Sequence, residues 1–126
     1  MRRGLILAAL LGVLAASTAV AFGGSQTPTH VVLVGDTADA PPGSHLWFGY
    51  LKTSRECRAN RKVQLLYSYP HHGYRVVDTD RSSRAGNWAA SFPVDRVTDA
   101  KIVVPENNVG SHRHPDICRK GHTSLG

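Results

Sequence analysis

Short runs of apolar or alternating residues recur along the chain, separated every eight to twelve residues by clusters rich in Gly, Pro, Ser, Asn and Asp. An apolar residue at every second position lines one face of a β-strand, whereas a helix needs apolar residues three or four positions apart. The spacing therefore predicts a series of short antiparallel strands. These strands are predicted at residues 29–34, 46–51, 63–67, 74–79, 87–92, 100–104 and 117–124.

The segments between these runs predict turns and loops. Residues 35–44 contain two prolines and are predicted as a turn-rich linker, because proline is excluded from central strands. Residues 68–73, with the sequence SYPHHG, have the composition of a hairpin loop. No helix is predicted, since the densest candidate, residues 53–62, has no apolar stripe at the helical period.

Together the strands predict an all-β protein, an antiparallel β-sandwich of about six to eight strands. Residues 22–45 are predicted as an N-terminal strand followed by the linker, and residues 46–126 as the body of the sandwich. The length favours one domain, from residue 29 to residue 126.

The first twenty-one residues have the layout of a secretory signal peptide. Arg2 and Arg3 precede an uncharged run, and Ala19 and Ala21 supply the small residues that a signal peptidase reads. Cleavage after Ala21 makes the protein secreted, with no membrane association afterwards. The alternative is a retained anchor, because residues 4–22 are nearly long enough to span a membrane.

Cys57 and Cys118 are the two cysteines of the chain. An even count in an exported small domain predicts one disulfide, which here closes a loop of about sixty residues. The alternatives are two free thiols, or a metal site that uses one of them.

The formal net charge is +6, and it becomes +4 when Arg2 and Arg3 are removed with the signal segment. This excess of positive charge either serves solubility or indicates attraction to an anionic surface such as a cell wall, a polysaccharide or a nucleic acid. Arg55, Arg58, Arg61 and Lys62 form the one basic cluster. No aromatic-plus-basic pattern accompanies it, so no specific nucleic-acid binding is predicted.

An ordered set of short motifs resembles a group of small exported bacterial β-sandwich domains. These are related in fold to transthyretin-like and carboxypeptidase regulatory-like modules. The motifs are Cys57, the run Arg61-Lys62-Val63-Gln64-Leu65, residues 70–73, Thr79-Asp80, Gly86-Asn87-Trp88 and Cys118. The chain departs from the pattern in a longer loop at residues 80–86 and in lacking an aromatic residue in the late strand. The resemblance implies a transthyretin-like or immunoglobulin-like sandwich and a structural or binding module, with no catalytic residues to transfer.

The aromatic residues suggest where such a module binds. Trp88 is expected in the core beside the disulfide. Trp47 and Phe48 are neighbours in a predicted strand and therefore point to opposite faces, so one of them faces away from the core. If the face of Trp47 is open, Trp47 with Tyr69 or Tyr74 forms an exposed aromatic patch, a surface on which a sugar can stack.

Two histidine pairs raise a second possibility. His71 and His72 lie in the predicted hairpin loop, and His112 and His114 lie in another loop. Converging imidazoles suit Zn²⁺ or Cu²⁺, so these four residues are candidate metal ligands, with solvated loop histidines as the alternative. Residues 78–82 resemble the start of a calcium loop, but the later ligand positions do not fit.

These observations predict a secreted, non-enzymatic structural or binding module that needs no cofactor, with a cell-wall or glycan ligand. The first alternative is a metal-binding secreted protein that uses the loop histidines. The second is a small secreted hydrolase, although no Gly-x-Ser-x-Gly elbow is present.

Overall fold

The computed structural model describes residues 24–38, 42–93 and 99–125. Within them the chain forms one short helix, α1 (Arg55–Arg58), and ten strands. The strands are β1 (Ser25–Thr27), β2 (His30–Ala38), β3 (His45–Lys52), β4 (Lys62–Tyr69), β5 (Gly73–Arg81), β6 (Asn87–Phe92), β7 (Ala100–Val104), β8 (Asn107–Asn108), β9 (Asp116–Cys118) and β10 (Gly121–Ser124). In these ranges no helix is long and apolar enough to cross a membrane. The predicted signal segment, residues 1–21, lies outside the described residues, so its cleavage and the domain limits stay predictions.

Two larger sheets form the sandwich, which confirms the predicted all-β class. One is four-stranded in the order β10-β7-β4-β5, and the other is three-stranded in the order β2-β3-β6. Their neighbouring strands are antiparallel throughout. A third, small sheet has the order β1-β9-β8, and its β1–β9 pair is parallel.

The core lies between the two larger sheets and is built from alternate positions of their strands. Every second residue of a strand points to the same face, so β3, β6 and β7 each present one apolar row inward. The buried core residues are Val31, Trp47, Leu51, Val63, Leu65, Trp88, Ala90, Ala100, Ile102 and Val104.

The predicted disulfide is confirmed. Cys57 in α1 is bonded to Cys118 at the end of β9, and the two Cα atoms lie 5.5 Å apart across 61 positions of sequence. Both cysteines are buried. The bond therefore ties the helical turn before β4 to the C-terminal part of the chain.

Three local predictions are wrong. Residues 35–38 continue β2 instead of starting a linker, because β2 stays paired with β3 across a bulge at Val34. Residues 117–124 do not form one strand, because β9 ends at Cys118 and β10 begins at Gly121 in a different sheet. Residues 53–62 do contain a helix, although it is the single turn of α1, too short to show a stripe.

Gly49 in β3 is a position where the core accepts no side chain. It lies directly opposite Trp88 of β6, and a Cβ there would overlap the Val32 carbonyl oxygen and lie 2.9 Å from the Trp88 ring. Neither neighbour can yield, since one is paired backbone and the other is a buried indole. Because glycine has no side chain, the indole ring of Trp88 on β6 can lie against β3 at this position.

We expect Gly49→Ala to destabilise the fold by about 3 kcal/mol or more, at the upper end of the cost of overpacking. The matched control is Gly73→Ala, where φ is +70° and a Cβ meets nothing within 4 Å. Backbone strain alone acts there, at a cost of about 1 kcal/mol. Urea unfolding of both variants measures the difference, and equal costs would contradict the steric explanation.

Candidate functional site

The three aromatic residues predicted to bind a ligand do not form one patch. Trp47 is 2 % exposed and belongs to the core, so its prediction as an exposed binding residue is wrong. The physical reason is that the row Trp47, Gly49, Leu51 faces the four-stranded sheet. The other row of β3, which includes Phe48 and Tyr50, faces outward.

Tyr69 and Tyr74 lie on opposite faces of the β4–β5 hairpin. Tyr74 pairs directly with Ser68, the residue before Tyr69, and neighbours along a strand point to opposite sides. Tyr69 shares its face with Tyr67, which packs against the core.

The face of Tyr69 carries a surface pocket at the turn end of the hairpin, here called the Tyr69 pocket. Its volume is about 370 Å³, and it is lined by Tyr69, His72, Arg75, Val76 and Val77. Val77 is the extra residue of a bulge between β4 and β5. The bulge brings two successive valines to the same pocket.

An aromatic cluster fixes the ring of Tyr69. The Tyr67 and Tyr69 ring centroids lie 5.2 Å apart in an edge-to-face arrangement, and Tyr67 lies 5.2 Å from Phe92 at the end of β6. The half-buried Tyr69 therefore extends the core of the sandwich to its surface. A ring held in this way presents a fixed apolar face to a ligand.

On the other face, Tyr74 is 40 % exposed but already engaged. Its hydroxyl donates to Asp99 Oδ1 at 2.5 Å, and Lys101 Nζ lies 4.0 Å from the ring centroid. The hydrogen bond to the Asp99 carboxylate raises the pKa of the Tyr74 phenol, because it favours the protonated form. Tyr74 is therefore part of a separate surface contact.

The four candidate metal ligands occupy two turns. His71 and His72 form the tip of the β4–β5 hairpin, where His71 has a φ of +66°, and His112 and His114 lie in the loop between β8 and β9. In the described ranges no three His, Cys, Asp or Glu side chains gather into a group that could hold a metal ion. Cys118 is in the disulfide and is not a ligand. The metal-binding alternative therefore gains no support from the geometry.

The carboxylates of Asp78 and Asp80, in the segment that resembles the start of a calcium loop, form hydrogen bonds to the backbone of another strand. Asp80 Oδ2 accepts a hydrogen bond from the Ala89 backbone N–H at 3.0 Å, and Asp78 Oδ2 accepts one from the Ser91 N–H at 2.8 Å. Both donors belong to β6, in the opposite sheet. The two aspartates therefore join the β5 and β6 edges, where no backbone ladder connects the sheets.

A histidine–carboxylate pair lies at the far end of β2 and β3. His45 Nε2 is 2.5 Å from Asp36 Oδ2, and the His45 and Trp47 ring centroids are 4.5 Å apart. The Ser–His–Asp triad of acyl-transfer enzymes contains such a pair together with a serine hydroxyl at the other ring nitrogen of the histidine. The hydrolase alternative stays a prediction.

The burial of the charged Arg61 side chain was not predicted from the sequence. This side chain is 1 % exposed and lies beside the disulfide. Nη1 donates to Thr29 Oγ1 at 3.2 Å and to the Cys57 carbonyl at 2.9 Å. Nη2 donates to the carbonyls of Pro105 at 3.0 Å and Arg119 at 3.3 Å. Four segments of the chain thus converge on one guanidinium.

The acceptors of Arg61 are all neutral. Desolvation lowers the pKa of the guanidinium from its ordinary value, although an arginine remains charged in a protein. Ser82 fixes the backbone beside it: Oγ accepts from the Arg61 N–H at 2.8 Å and donates to the Arg58 carbonyl at 2.6 Å. The basic cluster of the sequence therefore contains one structural charge, that of Arg61.

Comparison with known proteins gave no match to a protein-family model, to a curated protein or to a solved structure. The resemblance to transthyretin-like and carboxypeptidase regulatory-like modules therefore stays a prediction. Any function assigned to this chain rests on the geometry of its surfaces.

Proposed function

We propose that the chain is an exported, non-enzymatic binding module that holds an acidic glycan at the Tyr69 pocket. Export is supported by the signal-like N-terminal pattern and by a disulfide, a bond that persists mainly in oxidising compartments. The observation that carries the binding role is the meeting of a fixed tyrosine ring and an arginine in one pocket.

The pocket matches the chemistry of a charged sugar. Its volume of about 370 Å³ is within the range of small-molecule sites, which are mostly apolar with a few placed polar groups. The apolar face of a pyranose ring packs on an aromatic ring such as that of Tyr69. Arg75 supplies a planar fork of donors that suits a carboxylate, and His72 supplies a further ring nitrogen.

The overall charge favours an anionic polymer over a neutral one. Without Arg2 and Arg3 of the signal segment the chain carries a formal charge of +4, which raises the local concentration of an acidic polysaccharide near the protein. A polymer also presents many copies of the same residue, so that a weak single site still gives retention. Both effects favour an acidic glycan of the cell envelope or its surroundings.

The test is binding to polygalacturonate, an acidic polysaccharide, with dextran as the neutral comparison. We expect saturable binding to polygalacturonate only, and a loss of about tenfold in affinity in Tyr69→Ala and in Arg75→Gln, equivalent to about 1.4 kcal/mol each. Tyr69→Phe should retain binding, because the ring remains. Affinity electrophoresis or calorimetry measures the effect, and circular dichroism verifies the fold.

Tyr74→Ala is the matched control, since Tyr74 is an exposed tyrosine on the opposite face of the same hairpin. Its affinity should equal that of the parent. Equal weakening in Tyr74→Ala and Tyr69→Ala, or equal binding of dextran and polygalacturonate, would overturn the assignment of this pocket. The absence of saturable binding to polygalacturonate would overturn it as well.

A further inference from the structure

A second pocket lies at the other end of the β4–β5 hairpin, about 23 Å along β4 from the first at 3.3 Å per residue. It is here called the Arg61 pocket and has a volume of about 240 Å³. Its polar lining consists of Asn60, Arg61, Lys62, Arg81, Glu106 and Asn107. It shares no residue with the Tyr69 pocket, so its role is independent of the proposed function.

The pocket has an excess of positive charge. Arg61, Lys62 and Arg81 are cationic, and among the described residues of the lining Glu106 is the single carboxylate. Across the described part of the chain, no carboxylate forms an ion pair with any of these three cations. The charge of Arg61 is buried among neutral acceptors, so its field is weakly screened.

The Arg81 side chain and the backbone around Asn60 are held in place before any ligand arrives. Arg81 Nη1 donates to the Asn60 carbonyl at 3.3 Å, and the Asn60 N–H donates to the Ser82 carbonyl at 2.9 Å. The Ser82 N–H donates to the Arg61 carbonyl at 2.9 Å, which closes a tight set of contacts between the start of β4 and the end of β5. A preorganised site loses less entropy on binding.

We infer that the Arg61 pocket binds a tetrahedral oxyanion, a phosphate or sulfate group, contacted by Arg81, Lys62 and Asn107. Arginine offers a fork of N–H donors, lysine a point charge and asparagine an amide donor, which together suit several oxygens of one anion. The volume is below that of an ordinary small-molecule site and suits a single anionic group. The three cations attract a doubly charged anion more strongly than a singly charged one. Their attraction offsets the repulsion between the anion and the Glu106 carboxylate.

The experiment is a titration of the disulfide-bonded protein with inorganic phosphate and with sulfate at low ionic strength, followed by calorimetry and by amide NMR shifts. We expect saturable binding, with shifts at Asn60, Lys62 and Asn107. Arg81→Gln should weaken binding at least tenfold, and Glu106→Gln should strengthen it severalfold. Arg113→Gln is the matched control, because it removes the same charge from an exposed loop outside the pocket.

Three results would overturn the inference: no saturable binding by the parent protein, equal weakening in Arg113→Gln and Arg81→Gln, or weaker binding in Glu106→Gln. Equal effects of the two arginine variants would show attraction to net charge instead of a site. Tyr69→Ala should leave phosphate binding unchanged, which separates the failure of this inference from the failure of the glycan proposal.

A comparison with polyphosphate identifies the source of the group. Tighter binding of polyphosphate than of inorganic phosphate, with the same sensitivity to Arg81→Gln, indicates a group carried on a polymer. Equal affinity per phosphate group indicates a free anion.

Discussion

Replacing Arg61 with methionine is expected to destabilise the fold by about 3–5 kcal/mol. The methionine retains much of the aliphatic volume but removes four hydrogen bonds from a charged donor. Three of the acceptors are backbone carbonyls, those of Cys57, Pro105 and Arg119, which no substitution can remove. A buried charged side chain can be replaced without loss of stability only when its hydrogen-bond partners are replaced by apolar groups as well. The backbone carbonyls that accept from Arg61 cannot be replaced in this way.

Guanidinium unfolding measures this effect, with Arg84→Met as the control at an exposed arginine. The control should change stability by no more than about 0.5 kcal/mol. Arg61→Lys should recover only part of the loss, because one ammonium cannot reach acceptors on four segments. A cost below about 1 kcal/mol for Arg61→Met would contradict the structural role of the side chain.

Removing the disulfide with Cys57→Ala and Cys118→Ala together is expected to lower the free energy of unfolding by about 4 kcal/mol. That value follows from the chain-entropy treatment of a loop closed across 61 positions. It is a large share of the 5–15 kcal/mol typical of a domain. Both alanines are tolerated sterically, since each is smaller than the buried half-cystine that it replaces.

Chemical unfolding of the double alanine variant, compared with the oxidised parent, measures the loss. Arg61 donates to Cys57 itself and to Arg119, the residue after Cys118, so the two features share partners. Arg61→Met should therefore cost less in the disulfide-free protein than in the parent. A strictly additive pair of losses would show that the bond and the guanidinium act separately.

Features that depend on local pattern could be predicted from the sequence. β6 and β7 have the predicted limits because alternating apolar residues and flanking turn residues both lie within a few positions. The pairing of Cys57 with Cys118 followed from an even count in an exported domain. None of these predictions required knowledge of which segments meet.

Features that depend on distant segments could not be predicted. The acceptors of the Arg61 side chain include residues 32, 44 and 58 positions away, so a basic run in sequence looks the same whether solvated or buried. The pattern around Trp47 gives the phase of its strand but not which row the opposite sheet covers. Tyr69 and Tyr74 are close in sequence, but the strand pairing places them on opposite faces.

The aspartates that accept from Ala89 and Ser91 also bear on how copies of this protein behave when crowded. An unpaired strand edge is a template onto which a second chain can add, which leads to domain swapping and fibrils. Here two amide protons of β6 are already bound by carboxylates of the same molecule. A foreign strand would have to displace them and then bring its own backbone against two negative charges. We therefore expect Asp78 and Asp80 to disfavour self-association through this edge.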